Sequence, residues 1–183
     1  MSIQALLNVN QIAARKAASE LEFAVKKVHS LDVSKGGPDG YLKAIRRRVE
    51  GIVVEEIKKF YPEDNFLGIE TGSEINNSNI TWVIKGIDGE TNFINGYPHF
   101  AVSVCSLIDE VPTTGVIVDP IRREEFSASK GSGADLNNIK IRVSKQQGLS
   151  GSMIAFKKTN IEPKEYTYDF DKTYKEKIGR AHV

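Results

Sequence analysis

Of the rarer residue types, the 183 residues hold one cysteine, one tryptophan, two methionines and three histidines, and each scarcity excludes something. A lone Cys105 forbids an intrachain disulfide. Together with the scattered His29, His99 and His182, it cannot build a zinc site of the common spacings. Cys105 lies in the apolar run Phe100-Ala101-Val102-Ser103-Val104-Cys105, where a buried, inert thiol is expected rather than a nucleophile. No stretch approaches the ~20 apolar residues of a membrane span, and no basic stretch precedes an apolar one at the N-terminus. No membrane partner and a cytoplasmic address are therefore expected. Charge of one sign is missing too: the formal net charge is +1, which gives no general pull toward nucleic acid, membrane or acidic partners. The triplet Arg46-Arg47-Arg48 reads as a solvated helix face.

What is present is ordinary globular material, 40% hydrophobic and 27% charged, enough for one domain with a real core. From Ile3 to about His29, apolar and alanine positions recur at helical spacing (Leu6, Leu7, Ile12, Ala13, Ala17, Leu21, Ala24, Val25, Val28), with no Gly or Pro between. Gly36-Gly37-Pro38-Asp39-Gly40 is a break. A second helix is expected from about Ala44 to Phe60, with Ile45, Val49, Ile52, Val53 and Ile57 on one face. Tyr61-Pro62 ends it, because the residue before a proline resists helical geometry.

Strands follow. Asn65 to Gly68 is short and apolar, and Gly72 to Asn79 reads as a polar loop. Thr81-Trp82-Val83-Ile84, Phe100 to Ile108, Thr114 to Val118 and Glu125 to Ser129 are each bounded by turn residues. Asn137-Asn138 is a hairpin turn between Ala134-Asp135-Leu136 and Ile139 to Val143, since Asn tolerates left-handed geometry. Two helices followed by mostly hairpin-linked strands predict an α+β domain over residues 1–156. Residues 157–177 are weak in aliphatics and read as the start of a truncated further part, with a helix over roughly Lys164 to Lys177. Residues 178–183, Ile-Gly-Arg-Ala-His-Val, back-translate readily to the start of a common sequencing-library adapter and read as an artefact; the other reading is a chance C-terminus.

The most informative stretch is Trp82-Val83-Ile84-Lys85-Gly86-Ile87-Asp88-Gly89-Glu90-Thr91-Asn92-Phe93, followed by Pro98-His99-Phe100-Ala101-Val102-Ser103. It resembles the signature of the inositol monophosphatase family, W-x-I-D-P-I-D-G-T-x-N-F and then a Pro-x-Phe-Ala-Val-Ser strand. The resemblance extends through Gly115-Val116-Ile117-Val118-Asp119-Pro120 and Gly131-Ser132-Gly133-Ala134 to Ile141-Arg142-Val143-Ser144. Upstream, Tyr61-Pro62 and Gly68-Ile69-Glu70-Thr71-Gly72 are similar to the family's Y-P and I-G-E-E-S-G. In order and at matching spacing it covers roughly residues 5 to 155.

The resemblance implies the N-terminal half of a layered sugar-phosphatase fold, with two helices packed on a largely antiparallel sheet. It also implies a Mg²⁺-dependent phosphomonoesterase that acts on a small phosphorylated sugar alcohol, and a homodimer. The chemistry needs such a motif because a phosphate monoester dianion repels an attacking hydroxide. Clustered Mg²⁺ ions neutralise it and acidify a bound water, and they require hard oxygen ligands.

Carried over residue by residue, the implied ligand set is thin. Asp88, the backbone carbonyl of Ile87 and, weakly, Glu70 fall on metal positions. Ile69 and Lys85 stand where the family has carboxylates. The water-activating pair falls at Glu90 and Arg46. The substrate would lie on Ile87, Asp88, Gly89 and Glu90. Mg²⁺ binding and turnover by this chain are thus not expected, and a non-catalytic interaction protein that keeps the fold is the alternative function. Two local alternatives accompany this. Asp88 could serve as a turn aspartate that caps a helix starting near Asn92. Lys85 could replace a metal ion, pair with Asp88 and leave a metal-free anion pocket with the amides of Gly89 and Glu90.

Overall fold

Helix α1, Ile3–Val25, is capped by Ser2, whose Oγ accepts from the Ala5 amide at 3.2 Å. Its buried stripe is largely alanine (Ala13, Ala14, Ala17, Ala18, Ala24), flanked by Leu6 and Leu21, so the helix backbone can lie close to what it covers. The structure, a computed structural model, describes residues 2–28 and 37–148. His29, His182 and the expectations for residues 157–177 and 178–183 lie outside the described residues. The chain divides after Arg142 into two units, and the fold described is that of the first, Met1–Arg142.

Helix α2, Gly37–Lys58, starts seven residues before the expected Ala44. The Gly-Pro-Asp-Gly sequence that reads as a break is instead its first turn. Pro38 has no N–H, but the first turn of a helix leaves its N–H groups unpaired in any case. Asp39 sits where the helix dipole favours a carboxylate.

The strands are β1 (Asn65–Gly68), β2 (Gly72–Glu74), β3 (Ile80–Asp88), β4 (Ala101–Ile108), β5 (Val111–Asp119), β6 (Glu124–Ser129), β7 (Gly133–Leu136) and β8 (Ile139–Ile141). A short helix α3, Glu90–Ile94, follows β3. The eight strands form one sheet in the order β2-β1-β3-β4-β5-β6-β7-β8, antiparallel throughout except for the parallel pair β1·β3. The expected α+β architecture, helices on a mostly antiparallel sheet, is what the chain adopts.

The polar stretch Gly72 to Asn79 contains one strand the sequence pattern does not show, β2. It is exposed along its whole length, and its pairing with β1 substitutes for alternation. Asn137 and Asn138 both take positive φ, 49° and 64°, in the turn between β7 and β8, as a two-residue hairpin loop requires.

Both helices pack on the same sheet face, α1 over β4, β5 and β6 and α2 over β3. That face buries Ile80, Trp82 and Ile84 of β3, Val102 and Val104 of β4, and Val116 and Val118 of β5. Trp82, the sole tryptophan, stacks on Tyr61 at 5.5 Å and donates through Nε1 to Asp64 at 2.9 Å. Among the described residues, no helix is long and apolar enough to cross a membrane.

Candidate functional site

Strand β3 is the pivot of the sheet, because it alone joins the parallel β1 pair to the antiparallel run. Its register with β4 is regular from Ile80 to Lys85 and shifts before Asp88. A bulge of this kind turns the chain out of the sheet, and here it leads through Gly89 into α3. Gly89 has φ +83°, and a Cβ there would stand 2.7 Å from the His99 carbonyl oxygen. Only glycine fits that turn. The same carbonyl accepts from the Asn92 side-chain amide at 2.8 Å, so His99 contributes its backbone to the turn.

Asp88 does not cap α3 as the turn-aspartate alternative has it: Gly89 is the N-cap residue and no side chain caps the helix. The Asp88 carboxylate accepts the Gly89 amide at 3.1 Å and lies 3.3 Å from Lys85 Nζ. Both side chains are about half exposed, at 45% for Lys85 and 61% for Asp88. Ile87, by contrast, is buried and anchors the bulge to the core.

The second cluster hangs from α2. Arg46 reaches out from this helix with its two terminal nitrogens on different carboxylates. Nη2 is 2.7 Å from Glu70, in the turn between β1 and β2, and Nη1 is 2.8 Å from Glu90, the first residue of α3. Its Nε is buried with no hydrogen-bond partner. Arg46 is therefore not on a solvated face: its side chain is only 25% exposed, whereas Arg48, which pairs with Glu20, is 64% exposed. The triplet splits because successive residues on a helix point about 100° apart.

One turn further along α2 stands Glu50, which the sequence reading passes over. It is 2% exposed. Its carboxylate accepts the amides of Ile69 at 3.2 Å, Glu70 at 2.8 Å and Thr71 at 2.9 Å, and the Thr71 hydroxyl at 3.2 Å. The first three of these bonds answer backbone donors that the tight turn leaves unpaired. A signal for it exists in the sequence: Glu50 precedes Val53 by three residues and Ile57 by seven, which places a charge on the apolar stripe. Gly86 of β3 passes against the same helix, and a Cβ there would meet Glu50 Cγ at 2.9 Å and the Arg46 carbonyl oxygen at 3.2 Å.

The structure thus gathers Arg46, Glu70 and Glu90 in one cluster and Lys85 with Asp88 in another. Ile69 is 66% exposed and lines a groove of about 510 Å³ with Leu67, Val83 and Lys85. Among the described residues, no three His, Cys, Asp or Glu side chains form a group that could hold a metal ion.

The sequence model of the inositol monophosphatase family matches residues 2–181. Nus factor SuhB of Xylella fastidiosa is 37% identical over 87% of this chain and 56% of its own length. Nus factor SuhB of Pasteurella multocida is 34% identical over 88% of this chain and 62% of its own. Among solved structures, the extragenic suppressor protein suhB of Bartonella henselae superposes with a TM-score of 0.70 at 32% identity, over 79% of this chain and 56% of that one. The inositol monophosphatase of Anabaena (Nostoc) gives 0.68 at 33% identity, over 82% of this chain and 54% of that one. The chain spans between half and two thirds of the length of these relatives. With the ordered motifs, the fold and the matched span in agreement, the chain belongs to the inositol monophosphatase family.

Proposed function

We propose that this chain keeps the phosphatase-like scaffold of its family without Mg²⁺-dependent hydrolysis of inositol phosphates. The observation that carries this reading is the Lys85 ammonium 3.3 Å from Asp88, the aspartate on which the family resemblance puts a metal ligand. Mg²⁺ needs a near-octahedral set of hard oxygens, and a fixed cation beside the carboxylate opposes it. At about 4 Å and a surface-like dielectric, repulsion is about 4 kcal/mol per pair of unit charges, and doubles for a divalent ion. Water at these half-exposed groups screens part of that, and the Lys85–Asp88 pair itself contributes at most about 1 kcal/mol of stability. Its effect is occupancy of the aspartate rather than strength.

The other resemblance-derived positions support the same reading. Glu70 and Glu90 spend their carboxylates on Arg46, and Ile69 offers no oxygen donor. The residues present do not fit a Mg²⁺ ion. Without metal ions, the metal-assisted route has neither neutralisation of the phosphoryl dianion nor an acidified water.

The test is phosphate release from inositol 1-phosphate with Mg²⁺, with the chain extended to the length of its relatives. Background rates are expected from the native sequence. Combined Ile69→Glu, Lys85→Asp, Glu90→Thr and Arg46→Asp should raise the rate by orders of magnitude. Brisk Mg²⁺-dependent release by the native sequence refutes the reading.

A second reading is favoured by the relatives' names. Proteins 34–37% identical over most of this chain are called Nus factor SuhB, a name that states no hydrolysis. A retained scaffold with such a role predicts that the chain complements a bacterial strain lacking its own Nus factor SuhB, and failure to complement removes that reading.

A further inference from the structure

We propose that the Arg46 guanidinium is the built-in cation of this site, fastening the β1–β2 turn to the start of α3 so that their arrangement needs no added divalent ion. The inference rests on the reading of the site as non-hydrolytic and adds to it what holds the site together.

Three elements that are separate in sequence meet at Arg46. The helix α2 supplies the guanidinium, the turn after β1 supplies Glu70, and α3 supplies Glu90. A planar fork whose two terminal nitrogens face different carboxylates is a cross-link, and arginine suits it because it stays charged at every accessible pH. Both carboxylates are themselves placed from below. The Glu70 amide is held by Glu50, one turn along the same helix, at 2.8 Å. Glu90 follows directly on the Gly89 turn, which the His99 carbonyl crowds to 2.7 Å of a Cβ position. Two carboxylates fixed by their backbones toward one point repel each other unless a cation lies between them. Here the cation is covalently attached to the helix.

If Arg46 only packed and paired as any surface ion pair does, its removal would lower stability equally with or without metal. If it stands in for a cation, its removal leaves Glu70 and Glu90 facing each other and open to a small hard ion. The test is the thermal midpoint of the full chain in EDTA, in Mg²⁺ and in Mn²⁺. The wild type is expected to show the same midpoint in all three. Arg46→Ala is expected to fall by several degrees in EDTA and to recover at least half of that loss, saturably, in millimolar Mn²⁺. Adding Glu90→Gln to Arg46→Ala should abolish the recovery.

A saturable rise of the wild-type midpoint with Mg²⁺ or Mn²⁺ overturns the proposal, and so does an Arg46→Ala midpoint indifferent to both ions. Should Arg46→Ala not fold in EDTA, Arg46→Gln takes its place, with the same expected Mn²⁺ response; failure of both to fold even in Mn²⁺ counts against the proposal. Phosphate release measured on the same samples separates the two ideas. Turnover by the wild type sinks the non-hydrolytic reading, whereas flat midpoints in the Arg46 variants sink this one alone.

Discussion

Replacing Glu50 by Gln changes one atom in a buried side chain and should still unsettle the whole candidate site. Glu50 Oε2 accepts three hydrogen bonds, from the Glu70 and Thr71 amides and the Thr71 hydroxyl, while Oε1 accepts the Ile69 amide. A glutamine can turn its oxygen to the first three, but its NH₂ then faces the Ile69 N–H, donor against donor. That bond is lost, at about 1 kcal/mol, and each remaining bond gives up its charge assistance, about 0.5–1 kcal/mol apiece. Relief of burying a carboxylate offsets part of the sum. The net expectation is a loss of about 2 kcal/mol, rising to about 4 kcal/mol for Glu50→Ala, which also leaves a cavity. Urea unfolding followed by the fluorescence of Trp82, which is fully buried, reads this directly. With a slope of about 2 kcal/mol per molar, the Gln variant should unfold about 1 M earlier. Amide exchange at Ile69, Glu70 and Thr71 should accelerate about thirtyfold, the equivalent of 2 kcal/mol. A Glu50→Gln midpoint within about 0.2 M of the wild type would refute the claim that this carboxylate organises the turn.

Two further perturbations test the frame around the site. Gly89→Ala places a methyl 2.7 Å from the His99 oxygen in a left-handed conformation, φ +83°; it should cost roughly 2 kcal/mol or more, seen as a fall of roughly 5 °C or more in thermal midpoint. Hydrogen bonds from Lys16 and Lys59 hold the Glu56 carboxyl below the usual carboxylate range. Its folded value is therefore depressed, and its contribution is present above the unfolded value and lost as pH falls through the folded one. Glu56→Gln should accordingly be less stable than the wild type at pH 7, with the gap narrowing in paired urea titrations as pH falls below the ordinary glutamate value toward the depressed folded one.

Much of this fold is legible from local chemistry. The alanine-and-leucine spacing of α1, the apolar row of α2, the turn asparagines 137 and 138 and the β-rich runs from Thr81 onward each state their conformation within a few residues. The misplaced start of α2 shows the limit of such reading. Gly-Pro-Asp-Gly punctuates a chain in isolation, but in the folded molecule it forms a first helical turn, where proline's missing donor goes unnoticed. Strand β2 carries no alternation because it is exposed throughout, so only its partner β1 defines it.

For the site, the sequence by itself determined the inventory: Lys85 and Arg46 where the resemblance leads one to expect carboxylates, Asp88 and Gly89 at the end of β3, and Ile69 beside Glu70. A one-dimensional pattern carries charges and spacings, and these sufficed for the family. What only the tertiary structure decided is who faces whom. Arg46 lies 24 residues before Glu70 and 44 before Glu90 in the sequence, and no periodicity links a helix to a turn and a second helix across such gaps. Pairings of that kind arise when packing brings distant elements together and desolvates them, which turned an apparently solvated arginine into the cation of a three-element clasp and Glu50 into the anchor beneath it.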